Sequence, residues 1–345
     1  MGFSDSVFLA NKKQYMASSP YPAVNPELLA AQTARDVHSD GMVHFYLPGF
    51  FYHFGLNMTL LKLMREKPQM FREGAEVAGV YDSFPGAIWN GGRFDGAQSA
   101  ILVEQDYMRF VVDSYNALGV PVRFTYTNVC LEEKHCHDAF CNLTMELADN
   151  GFNEVIVASP VLEEYLRREY PRYRYVLSTT RCIRDVAEFN EALERYDMCV
   201  LDFRENKNTE FLSKIARRDR TEILVNEQCS PDCPMRSEHY KLISQCNLER
   251  IAYTGICTHA RPTGFSFRSA LKEPSPTLVT AEEVYRTYAP LGFKDFKIEG
   301  RRAKSTLVAE YYAYYLAKPE YVDDVFANLL FENCHTDIER NEVRY

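Results

Sequence analysis

Hydrophobic residues along the chain fall in short runs that alternate with amphipathic segments. The short runs are rich in β-branched and aromatic residues, which is typical of buried β-strands. In chain order the eight runs are VHFYLPGF, EVAGVYDS, VRFTYTN, EVIVAS, YRYVLSTT, MCVLDF, TEILVNE and FKDFKIEG. Between them apolar residues recur every three or four positions, which predicts helices. The last predicted helix is STLVAEYYAYYLAK.

Eight strands that alternate with helices predict an α/β fold, specifically a (β/α)8 barrel of the TIM type. The alternative is a doubly wound open sheet. That fold usually carries a Gly-rich phosphate-binding turn, and no GxGxxG follows a predicted strand here. We expect an N-terminal lead segment at 1–40, the barrel at 41–318 and a C-terminal helical tail at 319–345. A cysteine-bearing excursion would separate strands seven and eight.

A barrel of this type brings the carboxyl-terminal ends of its strands to one face, where active sites of the fold lie. Polar residues stand at these predicted ends, namely Asp82, Asn128, Ser159, Thr180, Asp202, Arg204, Asn226, Glu227, Glu299 and Arg301. We therefore expect a functional site at this mouth of the barrel.

Composition narrows the class of protein. The chain has 345 residues, of which 46% are hydrophobic and 25% charged, as in an ordinary globular protein. It has neither a long apolar run nor a secretory signal pattern, so we expect a cytoplasmic protein without a membrane span. The formal net charge of −9 gives no support for RNA as a partner, although RNA stays open. In a reducing compartment the ten cysteines would be thiols, metal ligands or redox groups.

Four cysteines lie between the seventh and eighth predicted strands, at Cys229, Cys233, Cys246 and Cys257. Thiolates select zinc or the irons of an iron–sulfur cluster. Structural zinc sites usually use two short cysteine pairs, whereas here one close pair is followed by two single cysteines. This irregular spacing favours a 4Fe–4S cluster, with zinc as the alternative and no metal as a third interpretation.

A second group of possible metal ligands follows the third predicted strand and comprises Cys130, His135, Cys136, His137 and Cys141. Its residue types suit a metal. However, Cys141 falls where a buried helical residue is expected, so the pattern favours a structural role. A second metal here stays an open alternative.

Two segments suit the binding of an anion. The turn Asn90–Gly91–Gly92–Arg93 combines backbone donors with a guanidinium, and such a turn can hold a carboxylate or phosphate or can be merely a turn. At the end of strand eight, Arg301 suits bidentate binding of a carboxylate, unless it forms a salt bridge with Glu299. The chain has no GxSxG, HExxH or Walker motif.

The segment FKDFKIEGRRAKSTLVAEYYAYYL, together with the order of the four cysteines, resembles the KIEGR region of the collagenase-like peptidase family U32. The resemblance covers residues 42–318 in strand order and is specific over residues 220–310. It implies a 4Fe–4S cluster on the four cysteines. Relatives in this family resemble oxygen-independent hydroxylases of tRNA, rRNA or ubiquinone precursors, with prephenate as an oxygen donor for some.

The main hypothesis is therefore a 4Fe–4S redox enzyme that hydroxylates a small molecule or an RNA base without oxygen. The predicted site residues are Glu227 for proton transfer, Arg93, Arg204 and Arg301 for a small, prephenate-like anion, and Asn90, Asn128 and Glu299 for cofactor binding. One alternative is a peptidase with Cys229, Glu227 and His239 as its reactive groups. Another is a non-catalytic, metal-stabilised subunit that partners a related barrel protein.

Overall fold

The computed structural model describes residues 42–92, 103–227, 229–251, 267, 271–272 and 276–331. Eight parallel strands close into a barrel in which each strand pairs with its neighbours in chain order. The strands are β1 (Val43–Pro48), β2 (Ala75–Asp82), β3 (Val122–Tyr126), β4 (Glu154–Val157), β5 (Arg174–Leu177), β6 (Met198–Val200), β7 (Thr221–Leu224) and β8 (Asp295–Lys297). The predicted (β/α)8 barrel is confirmed, and the open sheet is excluded because β1 pairs with β8.

Helices follow the strands around the barrel. They are α1 (Phe54–Glu66), α2 (Gln105–Asn116), α3 (Ala139–Ala148), α4 (Pro160–Glu169), α5 (Val186–Arg195), α6 (Thr209–Ser213), α7 (Arg236–Glu249), α8 (Ala281–Glu283, continued by a π-helical turn at Val284–Tyr288), α9 (Ser305–Leu316) and α10 (322–331). Several begin with the capping residues that their sequences offer. For example, Asp185 accepts hydrogen bonds from two backbone N–H groups at the start of α5.

The predicted domain boundaries are only partly visible. The lead segment 1–40 lies outside the described residues, as do residues 332–345 of the predicted tail. Within the predicted tail, α10 buries Val325 and Leu329 completely. This helix therefore packs on the hydrophobic core that surrounds the barrel.

The barrel interior holds an ionic network at the level of the strands. The Nε of Arg123 donates to Glu154 at 2.5 Å, and its Nη1 contacts Glu222. The guanidinium also stacks on the ring of Tyr46, 3.7 Å from the ring centroid. All four side chains are nearly inaccessible to solvent. Because buried charges are tolerated only when they are paired, this network constrains how strands β1, β3, β4 and β7 are arranged.

Candidate active site at the carboxyl-terminal mouth of the barrel

A pocket opens at the carboxyl-terminal end of the strands, with about 580 Å³ of empty space, part of it open to solvent. Every strand except β1 contributes to its wall, directly or through the residues that follow it. The lining residues are Tyr81, Gly92, Thr125, Thr127, Ile156, Ser178, Thr179, Thr180, Val200, Leu224, Glu227, Tyr240, Lys297, Glu299 and Arg301.

Lys297, the last residue of β8, lines this pocket and is only 8% exposed. Its Nζ lies 3.0 Å from Oε1 of Glu222 and 4.1 Å from the centroid of the Tyr81 ring. Burial lowers the pKa of Lys297 to about 8; the charges of Arg123 and Arg301 act in the same direction, whereas Glu222 opposes them. The amine is therefore neutral in an appreciable fraction of molecules near neutral pH.

Arg301 reaches the pocket from the loop after β8, where its Nη1 lies 3.9 Å from Oδ1 of the buried Asp82 and its hydrogen bonds go to neutral oxygen atoms. Its Nη1 donates to Asn90 Oδ1 at 2.9 Å and to Thr125 Oγ1 at 2.6 Å, and its Nη2 donates to the carbonyl of Gly91 at 3.0 Å. Gly91 can approach this closely because it lacks a side chain, since a Cβ there would lie 2.3 Å from the carbonyl oxygen of Thr127. The glycine-rich turn thus positions a guanidinium at the pocket wall.

Two carboxylates, Glu227 and Glu299, also line the pocket, and Asn226 links the segments that carry them. The Oδ1 of Asn226 accepts from the backbone N–H of Glu299 at 2.6 Å, while its Nδ2 donates to the carbonyl of Glu299 at 3.0 Å. The Oε1 of Glu227 accepts from the backbone N–H of Cys229 at 2.9 Å. These bonds fasten the ends of β7 and β8 together and place both acids at one side of the mouth.

Helix α7 crosses the mouth. Near its start, Arg236 donates to Thr179 Oγ1 after β5, at 3.1 Å. Near its end, the Ser244 carbonyl accepts from Asn128 Nδ2 after β3 at 3.0 Å, and Asn247 Nδ2 donates to the Asn90 carbonyl after β2 at 3.1 Å. The Arg236 guanidinium also lies 3.9 Å from the centroid of the Phe203 ring, which follows β6. Because β2 and β6 are opposite in a ring of eight, the 14 residues of α7, about 21 Å long, extend across the opening.

The inward face of α7 is mostly polar. Residues 236, 240, 243, 244 and 247 have the spacing of one helix face, and four of them are buried. Only Ile243 among the buried four is apolar, whereas Leu242 and Met235 are exposed. A helix that buries polar groups over a pocket contributes hydrogen-bonding groups rather than hydrophobic packing.

The structure brings only part of the predicted site together. Glu227, Glu299 and Arg301 line the pocket, and the Asn90 side chain binds Arg301. Arg204 instead forms a bidentate pair with Asp202, with Nη2 and Oδ2 2.7 Å apart. Arg93 lies outside the described residues.

Asn128, predicted to bind a cofactor, holds the loops of the mouth together. Its Nδ2 donates to the carbonyls of Ile88 and Ser244, and its Oδ1 accepts from the backbone N–H of Cys130 at 2.9 Å. The amide thus has partners at both ends. Its place in the structure is that of a clamp between the loop after β2, the loop after β3 and helix α7.

The three predicted cluster ligands that the structure describes, Cys229, Cys233 and Cys246, do not form a common metal-binding group. Cys229 and Cys233 precede α7, but Cys246 is the eleventh of its residues, about 15 Å along the axis from the first residue. Cys246 is 5% exposed, and burial raises the pKa of its thiol. Cys257 lies outside the described residues. A cubane cluster on all four sulfurs does not fit this arrangement, because α7 holds Cys246 too far from Cys233.

The second predicted group has structural contacts. The Nδ1 of His135 accepts from the backbone N–H of Glu132 at 2.9 Å, and its carbonyl accepts from the Trp89 indole at 2.7 Å. Cys141 is fully buried in the first turn of α3, which Asp138 caps. Over the ranges that the structure describes, no three His, Cys, Asp or Glu side chains are placed to hold a metal ion.

The sequence reasoning missed the pocket residues Lys297 and Tyr240 and the buried Arg236. Lys297 could have been found, since it stands two positions before Glu299 and alternate strand residues share a face. The two α7 residues carried no such signal, because the buried face of the helix is polar.

No protein family profile matches the sequence, and no curated protein matches it. Among solved structures, the chain is similar to a U32 peptidase, with 18% identity over 74% of this chain and 92% of that one, at a TM-score of 0.45. It is also similar to a protein from Burkholderia cenocepacia named as a lyase/mutase, with 12% identity over 83% of this chain and 87% of that one, at a TM-score of 0.37. No helix within the described ranges is both long and apolar enough to cross a membrane.

Proposed function

We propose that this chain is an enzyme that binds a small anionic molecule in the mouth of the barrel and carries out proton-transfer chemistry on it. The observation that carries the proposal is the composition of one pocket. Two cationic side chains, Lys297 and Arg301, and two carboxylates, Glu227 and Glu299, line it together. Buried ionisable groups of both signs in one cleft are typical of catalytic sites.

A third cationic side chain, Arg236 at the rim of the pocket, is further evidence that the ligand is an anion. Arg236 is 5% exposed, and its Nε and Nη1 have no hydrogen-bond partner among the described residues. The Nη1 lies 3.8 Å from Asp202 Oδ1, which is too far for a hydrogen bond. Its neighbours Thr179 and Tyr240 line the pocket. Buried donors rarely stay without an acceptor, and a carboxylate or phosphate bound beside Thr179 would accept hydrogen bonds from the guanidinium of Arg236.

The cover over the mouth favours a small ligand. Helix α7 spans the opening and contributes Tyr240 to the pocket, so a ligand would be held between the helix and the strand ends. A ligand bound there would displace water from the pocket, which strengthens each charge interaction with the wall. Glu227 and Glu299 would exchange protons with the bound molecule, and hydroxyl groups of the wall, such as that of Thr125, would orient it.

Ligand binding tests this proposal directly. Inorganic phosphate, malonate and citrate would be titrated by calorimetry, together with thermal unfolding. Thr180 is half-buried in the pocket wall, so Thr180→Trp should fill the cavity and weaken binding at least tenfold without removing a charge. Arg236→Gln should weaken binding similarly. Arg172→Gln is the control, because that arginine pairs with Asp149 away from the pocket and its side chain is 60% exposed.

The proposal fails if none of these anions binds the wild-type protein. It also fails if Thr180→Trp and Arg236→Gln bind as tightly as the Arg172→Gln control. In either case the mouth would not be an anion site, whatever the stability of the variants.

The more specific hypothesis of an oxygen-independent, iron–sulfur hydroxylase stays a prediction from the resemblance. It needs a cluster on four sulfurs, which the position of Cys246 in α7 does not accommodate. The peptidase and the partner-subunit hypotheses also remain predictions. Iron content after anaerobic reconstitution separates the first of these from the peptidase.

A further inference from the structure

We propose that Lys297 is a nucleophile that forms an imine with the carbonyl carbon of a small oxo acid bound in the mouth. This inference rests on the proposed function, because the same pocket must first bind the acid. Among the described residues, Lys297 is the one lysine that lines the pocket, and its Nζ lies 3.0 Å from the buried Glu222.

The simpler interpretation is that Lys297 only completes the interior ionic network. The contact with Glu222 does not fit that role well. The Nζ lies 3.0 Å from Glu222 Oε1, and this ion pair opposes the lowering of the lysine pKa by burial without cancelling it. The other oxygen of Glu222 contacts Arg123, which also binds Glu154. The arginine thus anchors the two acids, and the lysine lies beside them with its amine near the ring of Tyr81.

The same contact supplies a route for the protons. Glu222 Oε1 would accept one proton from the ammonium group of Lys297. The neutral amine would then attack the carbonyl carbon, forming the C–N bond and a carbinolamine whose oxygen carries the proton lost by nitrogen. Return of the first proton from Glu222 would expel this hydroxyl as water and leave a protonated imine. One carbonyl and one ammonium group thus give one iminium ion and one water molecule, with no oxidant or reductant needed.

The surroundings favour the reactive form of the amine and an acidic ligand. Burial lowers the pKa of Lys297 to about 8, so about a tenth of the molecules carry the neutral amine at pH 7 and about half at pH 8. Arg301, in the same pocket, suits the carboxylate of the ligand. Glu227 and Glu299 are then available for proton transfer at the carbon next to the imine.

Reductive trapping tests the inference. The protein would be incubated with pyruvate, glyoxylate or 2-oxoglutarate and sodium cyanoborohydride, followed by intact-mass analysis and peptide mapping. We expect one adduct per chain, heavier by the mass of the oxo acid less one oxygen atom, on Lys297. Lys297→Arg keeps the positive charge but should lose this adduct. Lys294→Arg is the matched control, since Lys294 precedes β8 at the opposite end of the barrel and should not affect trapping.

Peptide mapping of the trapped wild-type protein identifies the modified lysine even if a Lys297 variant fails to fold. The inference is overturned if none of the three acids is trapped, or if adducts form only on other lysines. If anions still bind by calorimetry in that case, the proposed function stands and only the imine is refuted. If no anion binds, the proposed function itself fails.

Discussion

Raising the pH above neutrality should stabilise the wild-type protein relative to a Lys297→Met variant. The pKa of Lys297 falls from an ordinary value of 10.5 to about 8 in the folded chain, because of burial. Between these two values the unfolded chain binds the proton and the folded chain does not, so stability rises with pH. Below pH 8 both states are protonated, and the folded state bears the full cost of the buried ammonium group.

The size of the change in stability follows from the difference between the pKa of Lys297 in the folded and the unfolded chain. A difference of about 2.5 pKa units corresponds to about 3 kcal/mol at 1.36 kcal/mol per unit. Of this, about 2 kcal/mol should be recovered between pH 7 and pH 9.5, because the unfolded chain is still largely protonated at the higher value. Lys297→Met preserves the length of the side chain and removes the titration.

Urea unfolding at a series of pH values measures the difference, followed by the fluorescence of Trp89, the single tryptophan, which is completely buried. Thiols and tyrosines also titrate in this range, so the quantity of interest is the free energy of unfolding of the wild type minus that of the variant. This difference should grow with pH. Lys294→Met is the control and should follow the wild type. Parallel pH profiles for the wild type and Lys297→Met would show that the amine is not perturbed and would refute the reasoning.

Three further predictions concern the interior network, helix α7 and the cysteines. Arg123→Met should lower the free energy of unfolding by about 3–5 kcal/mol, because two buried carboxylates lose their partner. The control Arg172→Met removes an exposed ion pair and should lower it by less than about 1 kcal/mol. Chemical denaturation measures both values. Asn128→Ala should lower stability by about 1–3 kcal/mol and raise amide exchange in α7, and unchanged exchange would contradict its role as a clamp. Cys246→Ala should not change the amount of iron that the protein binds after anaerobic reconstitution. If this variant loses iron while Cys334→Ala keeps it, α7 must rearrange around a cluster.

The barrel could be predicted from the sequence because its signal is local and repeated. Parallel strands buried on both faces appear as short apolar runs, and all but the seventh are followed by a segment with helical spacing. Polar residues within these runs, such as Arg123 and Glu222, did not obscure the pattern because their neighbours remained β-branched or aromatic. The strand ends then followed from the fold, and Glu227, Glu299 and Arg301 do line the mouth.

Helix α7 could not be predicted in the same way. Amphipathic helices are recognised by apolar residues on the buried face, but α7 buries Arg236, Ser244 and Asn247 and exposes Leu242. Without the helix, twelve residues between Cys233 and Cys246 were compatible with a loop that returns to a shared cluster. With the helix, the same residues hold the two sulfurs apart. Cysteine spacing constrains a metal site only when the conformation of the intervening chain is known.

The pocket and the interior network meet at Glu222, so stability and chemistry in this barrel are coupled. One oxygen of Glu222 contacts Arg123, which joins β3, β4 and β7, and the other lies beside the amine of Lys297. A substitution that removes Arg123 from the network would leave the Glu222 carboxylate free to interact more strongly with water or with Lys297. The pKa of the amine would then rise. The free energy that buries the ammonium group is thus supplied by the packing of the strands that carry this network. A variant such as Arg123→Met, where it still folds, should therefore trap oxo acids more slowly near pH 7, although it alters no residue that lines the pocket.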